Sequence, residues 1–414
     1  MKTRNIYIFD EYTSSQKNGI GTYLRELLYC LESPAYNVCL IIFNADTEEF
    51  NMVEDGAIRK FLFPGMKGHF LRQVHVMDKF LRLHIKDDPD NVFLVNHSPC
   101  EELLQSLKVY FPLSKTIFTI HDFGWTSRFM GDLEEFKVLL GEISSREEET
   151  EAGMLDPVVS YYKEEKGMYA LADRTVCLCE DSRHILRSVY KLEWEKISFI
   201  PNGLHPIGKI QKAEKCIEEQ RILLNIRSDE KILVAVGRPT RQKGIFDLIE
   251  AMKLVVKINK NVRFVIIGDS NEQSFRELIQ AASPLATSIT FTGLLDRDST
   301  YNWLSIADMG VICSYYEQCS FVGIEMMMYG LPIIASDGLG IRNMFRDNGN
   351  ARIARIGNRK YPEEYRNNLA NAILELLSSP GLCQRLGVNA RKTYEEKYHI
   401  RHMKQKYNEL IRSL

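Results

Sequence analysis

The sequence predicts an α/β protein with two doubly wound domains of mainly parallel sheet. Its 414 residues suffice for two domains of about 200 residues each. Short apolar runs at 5–9, 92–95, 116–120, 232–236, 262–268 and 308–313 have the length of strands buried on both faces. Helical-period segments separate them: Leu24, Leu27, Leu28 and Leu31 share one face, as do Ile245, Leu248, Ile249, Met252 and Val255. Strands alternating with helices build βαβ units and parallel sheets.

Composition excludes several functions. A net charge of −2 makes no electrostatic case for nucleic acid. The first apolar run, Ile6–Phe9, is short and stops at Asp10 and Glu11, so no signal peptide is expected. No apolar stretch approaches a membrane span. Nine cysteines are scattered, with Cys39, Cys177 and Cys313 inside expected strands, which suggests reduced thiols and a cytoplasmic protein. Cys177-Leu178-Cys179 has neither a metal nor a redox spacing.

The stretch from Ser314 to Pro332 is the most informative in the chain. Ser320 is a good N-cap, and Gly330 followed by Leu331-Pro332 is a good stop, so a short helix is expected between two buried strands. Its N-terminus then faces the carboxyl ends of the strands and offers amides to an anion. Glu317 precedes this helix and Glu325 lies within it. Eight helical positions amount to roughly 12 Å, so the two carboxylates should grip different parts of one ligand. Upstream, a strand delivers Gly237 and Arg238, and Lys243 heads the next helix. Two cations at a helix start suit a diphosphate leaving group, whose charge grows as its bond breaks.

Glu-x7-Glu followed by Gly-Leu-Pro-Ile-Ile-Ala, with Gly-Arg and Lys-Gly ahead of it, resembles the retaining glycosyltransferases of the GT-B fold, family 4 (glycosyl transferases group 1). The resemblance implies that Arg238 and Lys243 bind the donor diphosphate and Glu325 the ribose hydroxyls. It also implies that Glu317 and the loop after it hold the sugar, that Ser320, Phe321 and Val322 contact the donor, and that Leu294 meets the nucleobase through its backbone. Relatives usually carry Ala after the second Glu; Met326 stands here, which should alter packing more than catalysis.

The first half matches more loosely. Asn18-Gly19-Ile20-Gly21 opens a helix after the first strand and resembles the family's glycine-rich loop near donor and acceptor, so Gly19 and Gly21 are candidate donor contacts. A dinucleotide fingerprint fits poorly, since Leu24 replaces its last glycine and no acid follows the second strand. His121-Asp122 ends a strand and resembles the family's His-Asp element, making His121 a candidate site residue, with Asn96 or His97 behind it. The segment 66–86 is basic and amphipathic, either a surface helix or a peripheral membrane contact. The acidic region 134–165 reads as a solvated helix or mobile insertion that needs no chemistry, with an acceptor-specific role as the alternative. Asp296-Arg297-Asp298 has the metal-binding spacing of a different glycosyltransferase fold, but it opens a helix where acids serve the cap.

The resemblance implies two Rossmann-like domains facing across a cleft. These are an acceptor-binding domain at 1–204, ending at Pro201-Asn202-Gly203, and a nucleotide-sugar-binding domain at 205–393. A terminal helix at 394–414 packs back on the first domain, and its aromatic stripe reads as core packing. The expected activity is sugar transfer from a nucleoside diphosphate sugar, UDP-sugar favoured over GDP-sugar, to an unknown acceptor: a sugar, a lipid-linked sugar or a protein. No metal and no other cofactor are expected. A nucleotide-sugar epimerase, a phosphorylase or a non-catalytic sugar-nucleotide binder on the same fold are the rivals.

Overall fold

Two sheets, one in each half of the chain, organise the structure. The computed structural model describes residues 3–11, 19–56, 58–65, 70–96, 101–146, 156–206 and 214–414, with the backbone alone at 70–73, 144–146 and 214–216. The chain divides into two units, Met1–Pro201 with Met403–Leu414, and Asn202–His402. Each is a Rossmann-like α/β unit.

The first unit contains β1 (Arg4–Glu11), β2 (Tyr36–Ala45), β3 (Asn51–Asp55), β4 (Ile58–Pro64), β5 (Asn91–Val95), β6 (Lys115–Thr119), β7 (Arg174–Cys177) and β8 (Ile197–Phe199). Their order is β3-β4-β2-β1-β5-β6-β7-β8, parallel throughout except for β3, an exposed antiparallel edge strand. β5 is buried at every residue, as its unbroken apolar run requires of a central parallel strand. The terminal helix, Ile400–Ser413, buries Met403, Tyr407 and Ile411. The Tyr407 hydroxyl bonds that of Tyr23, and Tyr36 donates to Asn408 Oδ1 at 2.6 Å.

The second unit contains β9 (Lys231–Val236), β10 (Val262–Ile267), β11 (Ile289–Phe291), β12 (Met309–Ile312), β13 (Ile333–Ser336) and β14 (Arg352–Ala354). Their order is β11-β10-β9-β12-β13-β14, all parallel. β9 has β10 on one side and β12 on the other, so the winding reverses between β9 and β12. Ligands of open α/β sheets bind beside such a point. The helix Ile245–Ile258 buries Leu248, Ile249, Met252 and Val255, the face its periodicity predicts. The helix Phe321–Tyr329 is apolar nearly all round and buries Ile324, Met326, Met327 and Met328. It rests on β12 because residue 310 is glycine: a Cβ there would lie 2.5 Å from Met326 Sδ. Met326 is thus accommodated by packing. Among the described residues no helix is long and apolar enough to cross a membrane.

The acidic region departs from its expected solvated character, most plainly at one of its acids. It forms the helices Leu133–Arg146 and Pro157–Leu171, and the run 147–155 lies outside the described residues. Glu165 faces inward and is only 6% exposed. Its Oε1 accepts from Gly124 N at 2.7 Å, and its Oε2 accepts from the Tyr190 hydroxyl. Helical register explains this, since Val158, Val159, Met168 and Tyr169 of the same helix are buried too.

Burial pushes the Glu165 carboxyl up from 4.5 to about 7, against the hydrogen bonds from Tyr190 and Gly124. A folded value above the unfolded one means that the native state holds the proton more tightly. The resulting stabilisation is complete below about pH 4.5 and is lost as pH rises through 7. Denaturant titrations should therefore show wild type losing on the order of 2–3 kcal/mol relative to Glu165→Gln between pH 5 and 8. A flat difference would refute this.

Candidate active site

The second unit gathers its candidate residues where β9 and β12 end. After β9 the chain turns through Arg238 and Pro239 to Lys243 and Gly244. Gly244 has φ +67°, and a Cβ on it would lie 2.0 Å from the Cys313 carbonyl oxygen. Only glycine allows that approach. The contact is fastened by Tyr315 N donating to Gln242 O at 2.9 Å and Cys313 Sγ donating to Lys243 O at 3.1 Å. From the other side Gly340, at φ +75°, sits so close that a Cβ would be 1.8 Å from Glu317 O. Glu317 N donates to Leu339 O at 3.0 Å.

Held this way, Glu317 presents its carboxylate to Lys243. Nζ lies 2.5 Å from Glu317 Oε1, which also accepts from Ser314 Oγ at 3.1 Å. Lys243, Ser314, Glu317 and Ser320 line one pocket with the ends of β9 and β12. Arg238 does not line it; it is exposed, and no hydrogen bond or ion pair reaches its guanidinium among the described residues.

The expected helix cap is present. Ser320 Oγ accepts from Gly323 N at 3.2 Å, and the Gly330 N–H returns to the carbonyls of Met326 and Met327. The Ser320 N–H itself donates to Met344 Sδ at 3.3 Å. The amides of Phe321 and Val322 therefore remain at the helix tip, with no acceptor among the described residues. Asn202 Nδ2 donates to Cys319 O at 2.7 Å and fastens the chain just before the cap. One turn into the helix, Glu325 is 9% exposed, and its Oε1 accepts from the Tyr301 hydroxyl at 3.1 Å. Burial, and then the Glu325 carboxylate, hold the Tyr301 phenol well above its ordinary range. Leu294 is exposed, directly after Gly293. Asp296 caps the helix Arg297–Ile306, its Oδ1 accepting from Ser299 N at 2.7 Å.

In the first unit His121 follows β6, with its ring edge-on to Tyr23 at 4.5 Å and 77°. Asp122 Oδ1 accepts from Phe123 N at 2.8 Å and Thr126 Oγ1 at 2.7 Å, closing the turn after it. Glu165 fixes the next residue through Gly124 N. Asn96 ends β5, buried, with both amide atoms lacking a partner among the described residues. Gly19 and Gly21 form the first turn of the helix Gly19–Leu31. A Cβ at Gly19 would meet nothing within 4 Å among the described residues, so their packing does not require glycine there. Asn18 and His97 lie outside the described residues.

The sequence pattern described as Glycosyltransferase Family 4 matches residues 17–206, and that described as Glycosyl transferases group 1 matches 217–393. The chain belongs to the GT-B glycosyltransferases. An uncharacterised glycosyltransferase of Methanocaldococcus jannaschii is 28% identical over 51% of this chain and 52% of its own. The alpha-D-kanosaminyltransferase of Streptomyces kanamyceticus is 26% identical over 59% and 61%. The chain thus spans about half the length of the curated relatives it matches. In fold it is similar to Anabaena HepE, solved with UDP and glucose, with a TM-score of 0.72 at 14% identity, covering 99% of this chain and 100% of that one.

Tyr301, Met344 and Glu165 were not legible in the sequence as site residues, since their contacts are long-range in the chain. Only the i, i+4 spacing of Arg297 and Tyr301 offered a signal. The geometry yields a contrast between two of its glycines. Gly340→Ala should destabilise the second unit by at least about 2 kcal/mol, through strain at positive φ and the clash with Glu317. Gly19→Ala should change stability by under about 1 kcal/mol. Thermal melts of the two variants would check this, and equal effects would contradict it.

Proposed function

We propose that this chain transfers a sugar from a nucleoside diphosphate sugar, UDP-sugar favoured over GDP-sugar, to an acceptor hydroxyl with retained configuration at the anomeric carbon. The observation that carries the proposal is the pocket at the winding reversal of the second unit. There Lys243, Glu317 and a capped helix tip surround one space, with the buried Glu325 one turn farther along. A pyrophosphate fits such a tip because amides and the helix dipole favour an anion.

In the proposed reaction the bond from the anomeric carbon to the diphosphate oxygen breaks and a bond to the acceptor oxygen forms. The acceptor proton ends on the departing diphosphate. Lys243 exchanges its contact with Glu317 for the diphosphate as charge develops there, and the exposed Arg238 adds a second cation. Glu317, released, is placed to take a sugar hydroxyl. Glu325 takes the ribose hydroxyls, the amides of Phe321 and Val322 take phosphate oxygens, and Leu294 lies beside the base. Gly19, Gly21 and His121 belong to the first unit, which the resemblance assigns to the acceptor. These groups carry the leaving charge, so the scheme asks for no metal. Retention rests on the resemblance to family 4.

The acceptor is a sugar, a lipid-linked sugar or a protein. The helix Phe70–His84 turns Val74, Met77 and Leu81 inward and leaves Leu83 exposed beside Lys79 and Arg82. This small basic and apolar face supports peripheral contact with an anionic lipid surface at the inner side of the membrane, for a cytoplasmic enzyme.

Calorimetry against UDP-, GDP- and ADP-sugars tests the donor site without knowledge of the acceptor. Glu325→Ala should weaken nucleotide binding by about 10-fold or more, since a buried hydrogen-bonded charge is lost. Lys243→Ala should lower kcat by about 100-fold while changing donor affinity less. Wild-type behaviour in both variants would refute the assignment. Donor isomerisation without acceptor, or phosphate-dependent glycoside cleavage, would place the chain with the epimerases or phosphorylases instead.

A further inference from the structure

Glu325 does not stand alone in the second unit. Tyr301, on the helix Arg297–Ile306, is 6% exposed, and its hydroxyl lies 3.1 Å from Glu325 Oε1. Arg297, one turn earlier on the same helix, directs Nε onto the same phenol oxygen, with its guanidinium 5.1 Å from the ring centroid. The Tyr301 ring also packs on Tyr329, centroids 5.9 Å apart.

The donor and acceptor inventory fixes the direction of this chain. A guanidinium can only donate, so the phenol oxygen accepts from Arg297 and must send its own proton elsewhere. Glu325 Oε1 lies in that direction and accepts it. The polarity runs Arg297 to Tyr301 to Glu325, and each link strengthens the next. The terminal torsion of a glutamate is otherwise broad. Pinning one oxygen sets the carboxylate plane before any ligand arrives.

We propose that Tyr301 is a positioning residue that makes the donor site selective for ribonucleotides: it orients Glu325 so that the carboxylate meets a vicinal pair of ribose hydroxyls. This rests on the reading of Glu325 as the ribose contact. Arg297 supports Tyr301 through the phenol oxygen. The selectivity is thus built outside the first layer of ligand contacts, where no short motif announces it.

The test compares UDP with 2′,3′-dideoxy-UDP, and the corresponding GDP and ADP pairs, on the full chain by calorimetry. Wild type should prefer the ribonucleotide by about 10-fold or more. Tyr301→Phe keeps the ring packing and removes only the hydroxyl. It should lose about 5- to 10-fold on the ribonucleotide, change under 2-fold on the dideoxynucleotide, and melt close to wild type. Equal weakening of both ligands means a merely structural role and overturns the proposal. If Glu325→Ala abolishes the preference while Tyr301→Phe keeps it, the proposal fails and the ribose contact stands. If Glu325→Ala keeps the preference, the ribose reading itself fails. Should Tyr301→Phe not fold, Arg297→Met removes the donor to the phenol and leaves Tyr301 in place. It should reduce the same preference by a smaller factor, and an undiminished preference in that variant overturns the proposal.

Discussion

Backbone pressed against backbone is the constraint on which the second unit depends. The Gly244 turn meets the Cys313 carbonyl on one side of the strand-exit loop, and Gly340 meets the Glu317 carbonyl on the other. Neither contact admits a side chain. Between these two walls the segment from Ser314 to Ser320 has little freedom, so Glu317 and the helix cap are placed by packing before any ligand arrives. The hydrogen bonds Tyr315 N to Gln242 O, Glu317 N to Leu339 O and Asn202 Nδ2 to Cys319 O tie the same loop to three separate parts of the unit. Precision of this kind suits a site that must meet a developing charge without reorganising.

The electrostatics follow from that placement. Lys243 and Glu317 neutralise one another, so the pocket holds its cation in reserve at little cost. A stronger anion can displace the carboxylate, whereas a neutral ligand gains nothing by doing so. Arg238, in contrast, is held by nothing among the described residues and remains available from solvent. Glu325 sits deeper and accepts a hydrogen bond from the Tyr301 hydroxyl. A carboxylate has two oxygens and several lone pairs, so one bond from a phenol leaves it capacity for further hydroxyls.

Much of this unit was legible in the sequence. Gly237-Arg238, Lys243-Gly244, Glu317 and Glu325 stand in register with strands and helices whose ends are punctuated by Ser320, Gly330 and Pro332. Local chemistry announces such elements: a cap, a stop, an apolar period. Contacts between distant segments are silent in a single sequence. Nothing in the residues around Tyr301 says that its hydroxyl will find Glu325, and nothing near Met344 says that its sulfur will take the Ser320 amide. Glu165 was hidden in another way, because an acidic run reads as solvated unless the helical register turns one acid inward. The first unit was less legible throughout: its strands were plain, but His121, in the turn after β6, meets Tyr23 from a distant helix, and Asn18 and His97 fall outside the described residues.

The bare backbone at Gly310 opposite Met326 carries an evolutionary corollary. A bulky thioether on the helix and a missing side chain on the strand beneath it form one lock and key, so neither position is at liberty to drift alone. Shrinking residue 326 to alanine would open a hole, and adding a methyl group at 310 first would collide with the sulfur. Lineages that exchange one size for the other must therefore pass through a crowded or a hollow intermediate, and the two sites should be inherited as a pair.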